Sequence, residues 1–507
     1  MEGFLDRYKS MIMGVISCFD RVVITGTLPD ICHADAMSLH LRQNNVRIFD
    51  YPQWAEPLRN EIRENAERLA RDAGLKIDFI RSNNFRKEER IKEIIKQRGD
   101  HPGLVHIFSA MEPCPSFRPW HNKTTGKTYL RGRQAKCLHY YFYFIDEELG
   151  LCYLRVPTWA PFRLQFYFNG HNLLASMLEG EAVGYEMADN AFLSIEDFEK
   201  AQELADRIDI KRIHRKLEEL ALHYCPVVPR FRSGYHFSIM QAEYATDLVF
   251  KRRQDLQPIY EALSRTAIHT VKPGNVATFL GRKLHGNYKG EAGNDFNTRI
   301  EGTRIKHSMG PVSIKMYDKL GLVLRIETTA NDVSFFKHHR RVEHRDGSWE
   351  MKVAPMKKTI YSLPALGELM RDSNRRYLEF ICALDDPTAG IRDLERIGKT
   401  VRKGGKTFKG FNLFSSEDLA LFESLARGEF NISGLMNKHL QRLLPHKSAS
   451  QISRLLARLR KHGLIKKVGK TYKYYLTRLG KSAVITALKV RRLYIVPSLQ
   501  EAFNFCV

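Results

Sequence analysis

Ser448-Ala-Ser-Gln-Ile-Ser-Arg-Leu-Leu-Ala-Arg-Leu-Arg-Lys-His-Gly463 carries the clearest structural signal in the C-terminal region. Its apolar residues recur at i, i+3, i+4 and i+7, a spacing that predicts one buried face of a helix. Ser450 is predicted to cap the start of this helix, and Gly463 to end it. The apolar face consists of Ile452, Leu455, Leu456 and Leu459, and a second, basic face of Arg454, Arg458 and Lys461.

The segments on either side of this helix complete a small domain. Two β-prone runs follow it in 464–476, on either side of Gly469 and Lys470, and this pattern predicts a hairpin with a basic tip. Thr477 is predicted to cap a further helix. Upstream, 415–418 opens one predicted helix and 432–444 forms another. The predicted order is therefore helix, helix, basic helix and basic hairpin, which is the order of a winged helix-turn-helix.

The distribution of charge indicates a polyanionic partner for this region. Residues 401–507 hold 21 lysines and arginines against 5 acidic residues, a net charge of +16, while the whole chain of 507 residues carries +24. A basic segment of this density is typical of proteins that bind nucleic acid. Duplex DNA is the partner that the predicted elements favour; single-stranded DNA and RNA stay open.

Residues 415–490 resemble the winged helices of MarR-type regulators, particularly in the phrase Leu459-Arg-Lys-His-Gly-Leu-Ile-Lys-Lys467. The resemblance implies a recognition helix in the major groove and a wing on the DNA backbone or in the minor groove. The basic face of the helix adds Lys461 to the predicted nucleic-acid contacts. The resemblance places nearest the bases Ser450, Gln451, Ser453, Arg454 and Arg458, and on the wing Lys466, Lys467, Lys470 and Lys473.

Composition sets the class of the remaining chain. No run of 18 apolar residues occurs, so no transmembrane helix and no membrane partner are expected. The N-terminus lacks the pattern of a signal peptide, and the eight cysteines include no Cys-x-x-Cys pair, which argues against a zinc ribbon or a disulfide framework. We therefore expect a cytoplasmic, nucleoid-associated protein, and the sequence leaves open whether it forms an oligomer.

Residues 1–165 are predicted to form a mixed α/β domain because strand-like and helix-like patterns alternate along them. Helices are expected over 34–45, 56–72 and 87–97, and strands over 18–26, 47–49, 76–80, 104–108, 138–145 and 151–156. Two acidic positions invite a catalytic interpretation: Asp20 lies within an apolar strand, and Asp146 ends another. Carboxylates at such positions are typical ligands for Mg²⁺ or Mn²⁺ in nucleases. The alternative is structural, with Asp20 paired to an arginine and Asp146 shaping a turn.

Residues 166–395 are predicted to form a mixed α+β domain, a helical segment followed by antiparallel strands. Within it, 312–319 and 322–329 read as adjacent strands, Val312-Ser-Ile-Lys-Met-Tyr-Asp-Lys319 and Leu322-Val-Leu-Arg-Ile-Glu-Thr-Thr329. This passage resembles one in rolling-circle replication initiators, where a tyrosine attacks a DNA phosphate and carboxylates hold the metal. The resemblance implies Glu327 as a metal ligand. It does not identify the nucleophile, for which Tyr317 in the preceding strand is the candidate. A ladder of lysine, tyrosine, arginine and glutamate on an exposed sheet face is the alternative.

We predict a linker over 396–412 and a winged helix over 413–507. Together with the two domains before them, they make this a multidomain α/β and α+β protein. A large basic body joined to a DNA-reading module is typical of a mobile-element protein, meaning a transposase, a replication initiator or a related nuclease. Its predicted metal site comprises Asp20, Asp146 and Glu327. A non-enzymatic regulator with a large sensor body and an RNA-binding component of a ribonucleoprotein are the alternatives.

Overall fold

The computed structural model describes residues 2–82, 84–282, 292–299, 302–384, 397–403, 405–412, 415–430, 434–469 and 471–496. Lys470, predicted at the hairpin tip, lies outside these residues. Contacts divide the chain into two compact units. Unit 1 comprises 1–12, 250–326 and 372–507, and unit 2 comprises 13–249 and 327–371.

The helices of the described residues are α1 Glu2–Tyr8, α2 Ala34–Gln43, α3 Tyr51–Asp72, α4 Lys87–Arg98, α5 Gly170–Gly180, α6 Phe198–Asp206, α7 Ile210–Tyr224, α8 Arg253–Thr270, α9 Pro273–Phe279, α10 Leu363–Leu384, α11 Ser416–Leu425, α12 Asn437–Leu443, α13 Ala449–Lys461 and α14 Arg478–Val490. The strands are β1 Ile12–Thr27, β2 Ile77–Phe79, β3 Gly103–His121, β4 Thr128–Asp146, β5 Gly150–Pro157, β6 Leu164–Phe168, β7 Tyr185–Ala188, β8 Ala191–Ile195, β9 His236–Phe250, β10 Ala292–Arg299, β11 Gly302–Met309, β12 Val312–Lys319, β13 Val323–Ala330, β14 Lys337–Glu343, β15 Trp349–Pro355, β16 Val401–Lys403, β17 Lys406–Phe408, β18 Ile465–Lys467 and β19 Tyr474–Leu476.

Unit 2 is built on a sheet in which the second half of β13 is followed by β9, β1, β6, β5, β4, β3 and β2. The chain from β3 to β6 runs as an antiparallel meander, and β6 pairs antiparallel with β1. Alternation along β4 sends Phe142 and Phe144 to the face that carries Tyr224, while Tyr141 and Tyr143 join the core under α4. The predicted mixed α/β character of the N-terminal region is therefore confirmed.

Two local predictions in unit 2 are wrong. The strand expected over 47–49 is instead a short 3-10 helix, Ile48–Asp50. This helix leads directly into α3, and a proline in the first turn of α3 favours the start of a helix at this point. The helical segment predicted at the start of 166–395 is interrupted by two short strands. β7 and β8 pair with each other, and α6 and α7 follow, each capped by its own aspartate, Asp197 and Asp209.

The predicted domain boundary near residue 165 falls inside unit 2. β9 and the second half of β13 come much later in the chain, yet they belong to the same sheet as β1. Local periodicity does not report such long-range pairing, because each strand shows only its own pattern of burial.

Unit 1 contains β10, β11, β12 and the first half of β13 in sheet order, together with α8, α9 and the C-terminal segment. The C-terminal segment consists of α11, α12, α13, the β18–β19 hairpin and α14, packed around one apolar core that includes the predicted residues Ile452, Leu456 and Leu459. Ile397 and Phe411, both within the predicted linker, are buried in this core. The described part of 396–412 therefore packs with the C-terminal segment instead of serving only as a linker.

None of the helices traced in the described parts of the chain has the length and apolar composition that crossing a membrane requires.

His307 in β11 provides a test of the packing of unit 1. Its side chain is fully buried, with Nδ1 2.7 Å from Asn294 Oδ1 and Nε2 3.1 Å from the Tyr377 hydroxyl. Burial lowers the pKa of His307 to about 4, from 6.5 for an unperturbed histidine. Between these values the unfolded chain binds the proton more tightly than the folded chain does, so folding stability rises with pH in this window and falls as the pH drops from 6.5 towards 4.

We expect His307→Gln to flatten the dependence of the melting temperature on pH between 4 and 6.5. The matched control is His269→Gln, because His269 is exposed. Thermal unfolding at a series of pH values measures both. Equal pH dependence in wild type and His307→Gln would contradict the expectation.

Candidate metal centre and nucleic-acid surface

Three acidic side chains converge in unit 2. Asp20 of β1, Glu243 of β9 and Glu327 of β13 lie on three neighbouring strands, and each offers a ligand atom within 4.8 Å of the others. Asp20 and Glu327 are buried, while Glu243 is half-buried. Strands place side chains rigidly at fixed spacing, so the cluster is a property of the sheet and not of a flexible loop.

Asp20 is held from the side of α5. Nδ1 of His171 lies 3.0 Å from Asp20 Oδ1, and the side-chain amides of Asn169 and Asn190 donate to the same oxygen. Asn169 is also the N-cap of α5, where its Oδ1 accepts a hydrogen bond from the backbone N–H of His171. The start of α5 thus fixes the position of the Asp20 carboxylate.

The second ring nitrogen of His171 reaches a further carboxylate. Nε2 lies 3.4 Å from Oδ2 of Asp247, and both side chains are fully buried. Asp247 follows Glu243 by four residues on β9, so the two side chains lie on the same face of the strand. β9 therefore supplies one carboxylate to the cluster and another to the histidine that contacts it.

Thr329 lies between the two glutamates of the cluster. Its hydroxyl oxygen is 3.0 Å from Glu243 Oε1 and 3.4 Å from Glu327 Oε1. Thr329 and Glu327 are two residues apart on β13 and share a face. The hydroxyl has one proton and can donate it to either carboxylate, with Glu243 the nearer acceptor.

The chemistry of this cluster suits a divalent cation. Three like charges within 4.8 Å repel one another strongly in a poorly solvated site. A hard cation removes this repulsion, and carboxylate oxygens are the ligands that Mg²⁺ and Mn²⁺ prefer. Such an ion would polarise a phosphoryl oxygen or lower the pKa of a bound water.

The structure brings two of the three predicted metal ligands together and separates the third. Asp20 and Glu327 are in the cluster, but Asp146 lies on β4, three strands from β1, a separation of roughly 14 Å. Asp146 instead pairs with Lys216 at 3.0 Å and accepts hydrogen bonds from the backbone N–H groups of Glu148 and Leu149. Grouping Asp146 with the other two ligands is therefore wrong; this carboxylate shapes the β4–β5 turn.

The β12–β13 pair forms over the predicted residues, but its side chains are not an exposed ladder. Tyr317 has an exposed fraction of 9%, and Arg325 and Glu327 are buried. Leu320 and Gly321, which turn the chain between the strands, both adopt positive φ. The burial of Tyr317 favours a packing role over that of an accessible nucleophile.

The N-terminus of α13 carries most of the predicted recognition residues. Its N-cap is Ser448 and not the predicted Ser450: the Ser448 hydroxyl accepts from Gln451 N–H, and Gln451 Oε1 accepts from Ser448 N–H. Asn437 of α12 donates to Ser453 Oγ at 2.9 Å and so connects the two helices. The exposed residues of the predicted surface are Ser450, Gln451, Ser453, Arg454, Lys466, Lys467 and Lys473, and Lys461 is half-buried.

Arg458 is the exception on this helix. Its guanidinium pairs with both oxygens of Asp418, at 2.7 and 2.9 Å, and donates to the backbone carbonyls of Lys409 and Gly410. It also lies 3.9 Å above the ring of Phe411. The prediction that Arg458 reads bases is therefore corrected: its charged group is engaged within unit 1, where it ties α13 to α11 and to the segment before it.

Sequence reasoning missed Glu243, His171, Asp247 and Thr329. Glu243 carried the same signal as Asp20, since it is an acidic residue in a β-prone stretch, Gln241-Ala-Glu-Tyr-Ala-Thr-Asp247. His171 and Thr329 carried none, because a single histidine after a glycine and a threonine in a strand are ordinary in any sheet.

Comparison with known proteins adds little to this geometry. No protein-family model matches the chain, and no curated protein matches it. One solved structure is reported as similar, the rolling circle replication initiator protein from Geobacillus stearothermophilus, at 10% identity over 71% of this chain and 97% of that chain, with a TM-score of 0.20. A TM-score this low carries no argument about fold or function.

Proposed function

We propose that this chain is a divalent-metal-dependent, DNA-cleaving protein of the mobile-element class, meaning a transposase, a replication initiator or a related nuclease. In this proposal Asp20, Glu243 and Glu327 hold Mg²⁺ or Mn²⁺, and the C-terminal segment is a winged helix that docks on duplex DNA.

The convergence of three carboxylates on neighbouring strands is the observation that supports this proposal most directly. Buried acidic groups this close together are costly unless a cation or a proton compensates them. The chain carries a net charge of +24, which favours a phosphate-rich substrate. A hard cation in a strongly basic protein suits phosphodiester cleavage, because the ion stabilises the charge that develops on the phosphate.

Metal-dependent cleavage of supercoiled and single-stranded DNA tests the proposal. We expect cleavage by the wild-type chain with Mg²⁺ or Mn²⁺ and loss of cleavage with EDTA. Rates should be lower by roughly 100-fold or more in Asp20→Asn, Glu243→Gln and Glu327→Gln, since each removes a charged ligand and loss of a group that only contacts a ligand already costs about 10–100-fold. Asp146→Asn is the matched control and keeps its activity. Cleavage that persists in the three cluster variants would rule out this site.

DNA docking gives a separate prediction. Arg454 is exposed on α13, so Arg454→Ala is expected to weaken binding of a cognate duplex by about 1–3 kcal/mol if it contacts a base edge. Affinity of the full chain should also fall steeply as salt rises, because each phosphate contact releases counterions. A fluorescence-anisotropy titration across salt concentrations measures both. Salt-independent binding would contradict the assignment of this surface.

A cavity in unit 1 supports a second candidate function, that of a regulator with a ligand site. The cavity measures about 940 Å³, which is within the size range of small-molecule sites. Its apolar lining comes from α9, α10, α11 and α14 and includes Phe279, Phe380, Leu425, Val484 and Ile485. Duplex binding without cleavage in the experiment above would favour this regulator.

A further inference from the structure

Because α5 contacts β1 directly beside Asp20, the position of His171 is built into the backbone. A Cβ on Gly170 would lie 2.1 Å from the carbonyl oxygen of Phe19, so only glycine allows α5 to begin this close to β1. The next residue is His171, whose ring contacts Asp20 on one side and Asp247 on the other. The chain therefore places an imidazole between the cluster and a second buried carboxylate.

Three side chains approach the same oxygen of Asp20. His171, Asn169 and Asn190 all approach Oδ1. A carboxylate that three side chains contact at one oxygen has a defined orientation. Polar contacts to the metal-ligating groups influence the affinity of many metal sites. Asp247 influences Asp20 indirectly, because it contacts Nε2 of His171 and so orients the ring that contacts Asp20.

We propose that His171, oriented by Asp247, is a positioning residue that holds the Asp20 carboxylate as a ligand for a divalent cation. This inference rests on the proposed function, because it requires Asp20 to bind the ion. His171 itself does not ligate the metal in this arrangement, because each ring nitrogen already lies within ion-pair distance of a carboxylate oxygen: Nδ1 is 3.0 Å from Asp20 Oδ1 and Nε2 is 3.4 Å from Asp247 Oδ2.

The test measures Mn²⁺ affinity of the full chain by calorimetry and by electron paramagnetic resonance, with no DNA present. We expect Asp247→Asn and His171→Gln to raise the Kd for Mn²⁺ by about 10–100-fold, in the range found when contacts to metal ligands are removed. Asp247→Asn keeps the shape of the side chain, so it carries the test if His171→Gln does not fold.

His106→Gln is the matched control. His106 is also buried and also faces an aspartate, with Nε2 2.9 Å from Oδ2 of Asp78, but it lies on β3. The His106→Gln variant should bind Mn²⁺ with the same Kd as the wild type.

Two further variants separate failure of this inference from failure of the proposed function. Asp20→Asn and Glu327→Gln should lose Mn²⁺ binding. If both variants bind Mn²⁺ as tightly as the wild type, the assignment of the metal site to this cluster is wrong. If they lose it while Asp247→Asn and His171→Gln bind as tightly as the wild type, only the positioning role is overturned. Nitrogen coupling to bound Mn²⁺ that vanishes in His171→Gln would also overturn it, since the histidine would then be a ligand.

Discussion

We expect saturating Mn²⁺ to raise the thermal stability of the wild-type chain, and this increase to disappear in Glu327→Gln. A ligand that binds only the folded state stabilises it by about 2.7 kcal/mol at 100 times its Kd. Glu327 is one of three carboxylates within 4.8 Å, so its neutralisation removes both a ligand and a repulsive charge. We therefore expect Glu327→Gln to be at least as stable as the wild type without metal, and unresponsive to Mn²⁺.

Differential scanning calorimetry with and without Mn²⁺ measures both effects. Asp146→Asn is the control: it removes the charge of the sequence-predicted ligand that pairs with Lys216, and it should retain the full response to Mn²⁺. If Mn²⁺ still stabilises Glu327→Gln but no longer stabilises Asp146→Asn, the ion binds at the end of β4 and not at the three-carboxylate cluster.

We expect Arg458→Ala to destabilise the C-terminal segment by about 3 kcal/mol, the lower end of the range for removing one partner of a buried ion pair, because this pair is mostly but not fully buried. The side chain of Arg458 has an exposed fraction of 17% and that of Asp418 10%. Removal of the guanidinium leaves the Asp418 carboxylate without its cation and leaves the carbonyls of Lys409 and Gly410 without their donor.

Arg454→Ala is the matched control, because Arg454 lies one turn earlier on α13 and is exposed. It should leave stability within about 0.5 kcal/mol of the wild type, as surface substitutions usually do, while it weakens DNA binding. Urea unfolding followed by circular dichroism compares the two variants. Equal stabilities would show that Arg458 has no structural role.

The difference between these two arginines shows how far sequence reasoning reached in the C-terminal segment. The spacing of Ile452, Leu456 and Leu459 predicts the buried face of α13, and the structure confirms it. Arg454 and Arg458 look identical in sequence, since both lie on the basic face of one helix. Only packing distinguishes them, because Asp418 and Phe411 approach the helix at Arg458.

The metal cluster shows the same limit. Asp20 stands out because an acidic residue in an apolar strand is costly and therefore informative, whereas Glu327 is predicted from the resemblance of its strand to replication initiators. Asp146 stands out because it ends a strand, yet its carboxylate is compensated locally by Lys216 and two backbone N–H groups. The sequence pattern is the same for a carboxylate that closes a turn and for one that faces other carboxylates, so it does not distinguish the two roles.

Sequence patterns were enough to predict the helices and strands whose periodicity is strong, the apolar face of α13, the β12–β13 pair and the concentration of positive charge after residue 400. These features depend on neighbours within a few residues, so local spacing encodes them. The tertiary structure alone decided which carboxylates meet. Asp20, Glu243 and Glu327 are separated by 223 and 84 residues along the chain, and only the pairing of β1 and β13 on either side of β9 brings them within 4.8 Å.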